Sequence, residues 1–253
     1  YATGDATIAL GKENWAEGGS TVAIGFKNHA AGAGSVALGQ ENIAWGTTNF
    51  TSGYQNKAGN VNAAVGTAGS ATAIGAGTTA SGRSSFSANK NTTASNHASA
   101  ALGLSTTADN FGMLAIGVNN AAGIGDTSID PENYEGYYYA DGQYTDSPIG
   151  VAFVIGNGDV DTSTGLAGSK SSNAFIVNYD GSATLSGDLT INSDARLKSN
   201  IISLGSTLAK LLMIDGKSYT MKANESKSKI GLLAQDVQKA FPELVKTAND
   251  SNQ

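Results

Sequence analysis

Thr7-Ile8-Ala9-Leu10-Gly11, Thr21-Val22-Ala23-Ile24-Gly25 and Ser35-Val36-Ala37-Leu38-Gly39 are copies of one five-residue block, spaced 14 residues apart. Weaker copies end at Gly53, Gly66, Gly75 and Asn89, and good ones return at Gly103 and Gly117. The period contracts to 13 and 9 on either side of Gly66 and resumes at 14 from Gly75. Self-similarity at a fixed short period marks a solenoid: each repeat is one coil, and neighbouring coils supply the burial that none provides alone.

Positions between the blocks repeat too. Asn14, Asn28, Asn42, Asn56 and Asn120 stand three residues beyond the block end. Ala16, Ala30, Ala44, Ala58, Ala80, Ala94, Ala108 and Ala122 stand five beyond it. Seven beyond it come Gly18, Gly32, Gly46 and Gly82, or Asn60, Asn96 and Asn110. Gly and Asn tolerate positive φ, so these positions read as the corners of a coil with two short strands per turn. Within each block, Val/Ile and Ile/Leu alternate with Ala and Thr, as a half-buried strand requires. A disordered Gly/Ala/Ser linker would not hold apolar residues in register over nine copies. The A-[IL]-G blocks and the N-x-A spacing resemble the YadA-like head of trimeric adhesins over residues 1–123. That resemblance implies a mainly β fold, a left-handed parallel β-roll in which three chains associate.

Composition fits such a stack. The 253 residues include 33 Gly, and only 14% are charged. Side chains this small suit closely stacked β layers. With no cysteine, disulfide frameworks and thiolate metal sites are excluded. Residues 1–192 carry 6 Lys/Arg against 15 Asp/Glu, a net −9, while residues 193–253 carry 9 against 6, a net +3. The acidic body argues against a nucleic-acid partner. No apolar span points to membrane insertion, and nothing calls for a cofactor. The chain begins at Tyr1 without Met, which is expected of a piece of something longer.

Residues 124–148 break the period and hold five of the nine tyrosines, Tyr134, Tyr137, Tyr138, Tyr139 and Tyr144, among Asp130, Glu132, Glu135 and Asp141. Aromatic faces beside acceptors suit a receptor contact, a sugar ring above all. A plug over the open end of the roll is the structural alternative. Residues 149–156 and 173–179 read as strands, and Asp180-Gly181 as a tight hairpin. Asp159-Val160-Asp161-Thr162-Ser163 alternates oxygen ligands but lacks the further acids of a calcium loop, so no metal is assigned. Phe153-Val-Ile-Gly-Asn-Gly158 followed by Ser172-Asn-Ala-Phe-Ile-Val-Asn-Tyr-Asp-Gly181 is similar to the β neck of phage tail fibres, here residues 149–192.

Composition changes sharply at Ser193-Asp-Ala-Arg-Leu-Lys-Ser-Asn-Ile201. A serine hydroxyl needs a base to become a nucleophile, and a lysine can serve. Lys198 is close enough in sequence for a local turn, or a neighbouring chain, to bring its amine to Ser193. A helix start with Ser193 as N-cap is the structural alternative. Downstream, Ile230-Gly-Leu-Leu-Ala-Gln-Asp-Val-Gln-Lys-Ala-Phe-Pro-Glu-Leu-Val245 completes a pair of ordered motifs. Together they resemble the intramolecular chaperone, auto-processing domain of phage tail spikes, endosialidases and tail fibres. The resemblance implies a small α+β domain over residues 193–253 that cuts its own backbone once the trimer has formed. Ser193 would be the nucleophile, Lys198 the base, and Arg196 and Asn200 orienting groups. The family's cut falls between Ser193 and Asp194; the sequence alone allows Asn192–Ser193 equally. The family continues into a further long helix, so this domain is expected to be shortened. Leu204, Leu208, Leu211 and Leu212 have helical spacing, and so do Leu233, Val237 and Phe241 up to Pro242.

These features favour the distal part of a homotrimeric phage tail fibre on the virion, self-associated, joined to other tail proteins and binding a host-surface glycan or protein receptor. A bacterial trimeric surface adhesin is the alternative. A glycan depolymerase would need an acid pair across a cleft, and the acidic residues show no such placement.

Overall fold

The computed structural model describes residues 1–60, 69–124, 150–190, 194–205, 207–221 and 224–245. Contacts divide the chain into two units, Tyr1–Leu189 and Thr190–Gln253.

The first unit is mainly β, a parallel β-solenoid. Among the described residues, nine long strands stack in parallel, from Ile8–Lys12 and Val22–Phe26 through to Leu114–Val118 and Val151–Asn157. Block glycine lies on block glycine, as in Gly11↔Gly25 and Gly25↔Gly39. Seven two-residue strands, from Trp15–Ala16 to Thr107–Ala108, form the opposite sheet of each coil.

The half-buried strands are present, but the buried half is the small one. Ala16, Ala23, Ala30, Ala37 and Ala44 are fully enclosed and touch one another across the roll. The larger block residues turn outward: Ile8 is 51% exposed and Leu10 62%. The interior of the coils is filled mainly by alanine methyls, with Met113, Val151 and Val154 the larger apolar side chains buried near the far end of the stack.

The corners also differ from the sequence reading. Asn14, Asn28, Asn42 and Asn56 are buried rather than left-handed; positive φ falls one residue earlier, at Glu13, Lys27, Glu41 and Gln55. The buried asparagines form a ladder. Nδ2 of Asn28, Asn42 and Asn56 each donates to Oδ1 of the asparagine one rung below, at 3.0, 3.0 and 2.9 Å. In later coils Thr78, Thr92 and Thr106 take over the position, and Thr78 Oγ1 donates to Asn56 Oδ1 at 2.6 Å. The block glycines are the second left-handed position, with Gly25 at φ +123°. Of the glycines seven beyond the block, Gly46 alone is left-handed. Gly32 is needed for close approach instead, since a Cβ there would lie 1.7 Å from the Gly46 carbonyl oxygen.

Among the described residues nine rungs form, though not the nine read from the sequence. Gly66 lies outside the described residues. Strand Phe50–Tyr54 pairs directly with Thr72–Ala76, Gly53 on Gly75, so no rung intervenes. The ninth rung is Val151–Asn157, with Gly117 on Gly156. Residues 61–68 and 125–149 lie outside the described residues, and the ladder keeps its register across both, Gly53 on Gly75 and Gly117 on Gly156.

Strand Asn173–Asn178 ends the parallel stack by pairing antiparallel with Val151–Asn157, with the Phe153 and Phe175 rings 6.3 Å apart. It returns through the Asp180-Gly181 turn into Ala183–Leu185. Tyr179 reaches back to donate its hydroxyl to the Phe111 carbonyl at 2.8 Å, and burial raises its pKa.

The second unit contains a 3-10 turn (Ala195–Leu197), helix α1 (Leu208–Leu211), an antiparallel hairpin (Lys217–Met221 with Asn224–Gly231), helix α2 (Ala234–Ala240) and a 3-10 turn (Pro242–Leu244). Leucine spacing overstates the first helix: Leu204 stays outside it and Leu212 caps it. Leu233 and Phe241 bound α2, and Pro242 opens the turn beyond. Among the described residues of this unit only Ala240 and Phe241 are buried. No helix among the described residues is long and apolar enough to cross a membrane.

Candidate functional site

At the seam, Asp194 rather than Ser193 is the cap, and the turn it caps lasts three residues. Asp194 Oδ1 accepts the Arg196 backbone N–H at 2.8 Å. The Arg196 side chain closes on the same carboxylate, Nε at 3.1 Å from both oxygens and Nη2 at 2.6 Å from Oδ2. These hydrogen bonds hold the Asp194 carboxyl below the usual carboxylate range and raise the Arg196 guanidinium. Both groups face solvent, so the fork shapes the backbone more than it stabilises the fold.

Lys198 leaves the turn in extended conformation (φ −119°, ψ 142°) and donates its backbone N–H to the Ala195 carbonyl at 3.1 Å. Asn200 follows at φ +55°, a left-handed bend that asparagine accepts more readily than most residues. The structure thus brings Asp194 and Arg196 together and sets Lys198 and Asn200 immediately after them. Ser193 lies outside the described residues, and so do Tyr134, Tyr137, Tyr138, Tyr139 and Tyr144. In the second motif, the end of strand Asn224–Gly231 runs into α2, and the buried Phe241 ring receives Lys210 Nζ at 5.5 Å from its centre.

Residues 193–246 match the family model described as "Chaperone of endosialidase", and residues 2–28 and 16–42 match two copies of the YadA head domain repeat. The chain carries YadA head repeats and an endosialidase-chaperone domain. No curated protein matches it. The head and the chaperone domain are the parts of a surface fibre or adhesin that self-associates.

One cluster in the head escaped the sequence reading. His29 lies in the short strand His29–Ala30. Its ring contacts those of Trp15 and Trp45, and its Nε2 stands 3.3 Å from Glu17 Oε2. The available signal was spacing: Trp15 and His29 are one 14-residue period apart, and so occupy the same place on successive coils. His97 sits in a corner and is buried.

Proposed function

We propose that the chain is the distal part of a homotrimeric phage tail fibre. Its head attaches to a host-surface receptor, and its chaperone domain drives trimer formation and then releases itself by a cut at Ser193. The observation that carries this reading is the outward stripe of the head. Ile8 and Leu10, with Val22, Ile24, Val36 and Leu38 on the next rungs, line one face of the long-strand sheet instead of the interior. An aliphatic face of that length calls for a partner, and closed threefold packing of identical rolls supplies one. The chaperone domain leaves Ile202, Leu212 and Ile230 at 79% exposure or more, as a domain completed by association does.

For the cut, the Ser193 hydroxyl attacks the scissile carbonyl and the neutral Lys198 amine takes its proton. Lys198 then passes the proton to the departing amine, and water hydrolyses the resulting ester. If the bond is Ser193–Asp194, the carbonyl is Ser193's own, and attack within one chain would close a strained four-membered ring. Attack by Ser193 of a neighbouring chain avoids that ring and ties cleavage to assembly. If the bond is Asn192–Ser193, attack within one chain closes an unstrained five-membered ring.

A denaturing gel of the wild-type protein beside Ser193→Ala tests the reading. Processing removes roughly a quarter of the 25.5 kDa mass, and the substitution abolishes the shift. No shift in any version containing the chaperone domain would overturn self-cleavage, and mass spectrometry of the new terminus identifies the bond. The match of residues 2–42 to head repeats favours a second reading, a bacterial surface adhesin. Antibody against the head labels phage particles under the first reading and bacterial cells under the second.

A further inference from the structure

Four rings form a continuous row on the short-strand side of the head. Tyr1 and Trp15 have centroids 6.0 Å apart, Trp15 and His29 5.5 Å, and His29 and Trp45 5.6 Å, each pair edge to face. Trp15 and Trp45 are the only tryptophans in the chain. Glu17 lies alongside at the same coil position as Trp45, two rungs away, and Ala31 on the rung between adds no bulk. Trp15 remains 46% exposed, and the Glu17 side chain 45%.

The coil does not need these rings to fold. Thr79, Thr93 and Thr107 occupy the place of Trp15 and His29 in later coils, with the same short-strand pairing. A self-association face on the long-strand sheet leaves the opposite, short-strand side open. From this geometry we infer that the row Tyr1–Trp15–His29–Trp45, with Glu17, is a binding track for a linear, uncharged oligosaccharide. This inference rests on the reading of the head as an attachment element.

The chemistry selects the ligand. A pyranose presents a flat C–H face to an indole and hydroxyls to a carboxylate, which is what Trp15 and Glu17 offer side by side. The rings form a row in steps of 5.5–6.0 Å rather than an enclosing cage, so they suit a ligand that is itself a row of rings more than a single ammonium group. Glu17, on a body of net charge −9, disfavours nucleic acid and anionic glycans. Three copies in one assembly convert a weak contact into firm attachment.

Both tryptophans lie in the track, so emission excited on the red side of tyrosine absorption reports on it alone. The full chain is titrated with maltohexaose, cellohexaose and chitohexaose, with hexalysine as the cationic comparison. At least one oligosaccharide is expected to change the emission saturably. Trp15→Thr, which installs the residue of the later coils, should weaken that binding at least tenfold, and Glu17→Gln severalfold, with circular dichroism unchanged. No saturable response to any of the three sugars would overturn the inference. So would undiminished binding by folded Trp15→Thr and Glu17→Gln, or a response to hexalysine alone. Binding to a panel of bacterial strains, run in parallel, separates the two levels. Equal capture of wild type and Trp15→Thr retains the attachment reading and removes the track; no capture by either removes the attachment reading, while the titration still judges the track.

Discussion

Asn42 Nδ2 donates to Asn28 Oδ1 at 3.0 Å, and the same Asn28 oxygen accepts the Asn42 backbone N–H at 3.0 Å. One buried amide thus holds the side chain and the backbone of the next rung at once. Asn42 Nδ2 also reaches the carbonyls of Leu38 and Gly53, both at 2.8 Å, so each asparagine spans three successive coils. Stacked amides of this kind are a recurrent device of in-register β structures.

Asn42→Ala removes the Nδ2 donor to those carbonyls and to the Asn28 oxygen, which keeps only the backbone N–H, and removes the Oδ1 that accepts the Asn56 backbone N–H and Nδ2 at 3.0 and 2.9 Å. Unmade buried hydrogen bonds cost about 1–3 kcal/mol each, so a loss of at least about 3 kcal/mol is expected. Asn42→Thr should cost less, because Thr78, Thr92 and Thr106 occupy the same place in later coils. Denaturant midpoints of the two variants provide the comparison.

Gly25→Ala is predicted to destabilise by about 2 kcal/mol or more, through left-handed backbone strain and a Cβ placed 2.0 Å from the Gly39 carbonyl oxygen. Asn89 stands in the equivalent position at φ +92°. Gly25→Asn should therefore retain more of the melting temperature than Gly25→Ala.

The outward stripe is expected to govern assembly without governing the coil. Ile24→Lys combined with Leu38→Lys places two ammonium groups on that face while the alanine interior is untouched. Sedimentation velocity should show a trimer for the wild type and a monomer for the double variant, with the same far-ultraviolet spectrum.

At the seam, Asp194 should titrate below an ordinary aspartate, because the Arg196 fork favours its ionised form. A depressed carboxyl contributes its interaction above the unfolded-state pKa and loses it as pH falls through the lower, folded value. The fork is therefore intact at neutral pH and opens only in acid. Arg196→Gln should return the titration to the usual carboxylate range, observable by carbon-detected NMR of the Asp194 carboxyl. If self-cleavage depends on the fork, the pH profile of processing shifts in the same direction.

Much of the head was legible in the sequence because a coil repeats its constraints. Block spacing matched most of the rungs, and the alanines five residues beyond the blocks line the core from Ala16 to Ala108, whereas Ala122 is exposed. Two parts were not legible. In a coil this thin the interior takes alanine and the aliphatics face outward, which reverses the usual assumption that the larger apolar residue is the buried one. The ninth rung, Val154-Ile155-Gly156, repeats Ala115-Ile116-Gly117 in space but stands 39 residues away, so the 14-residue period cannot announce it. At the seam the S-D-x-R-x-K order was plain, whereas the Asp194–Arg196 fork depends on a turn that residue spacing alone does not specify.

Gly53 meets Gly75 across 22 residues and Gly117 meets Gly156 across 39, where the other rungs use 14, yet the register on either side is undisturbed. The stack works as a mounting rail. Connections of different length can be inserted, exchanged or deleted between rungs while the rungs above and below keep their hydrogen bonds. Variation in what the protein presents to its surroundings is thereby separated from the stability of the body that presents it.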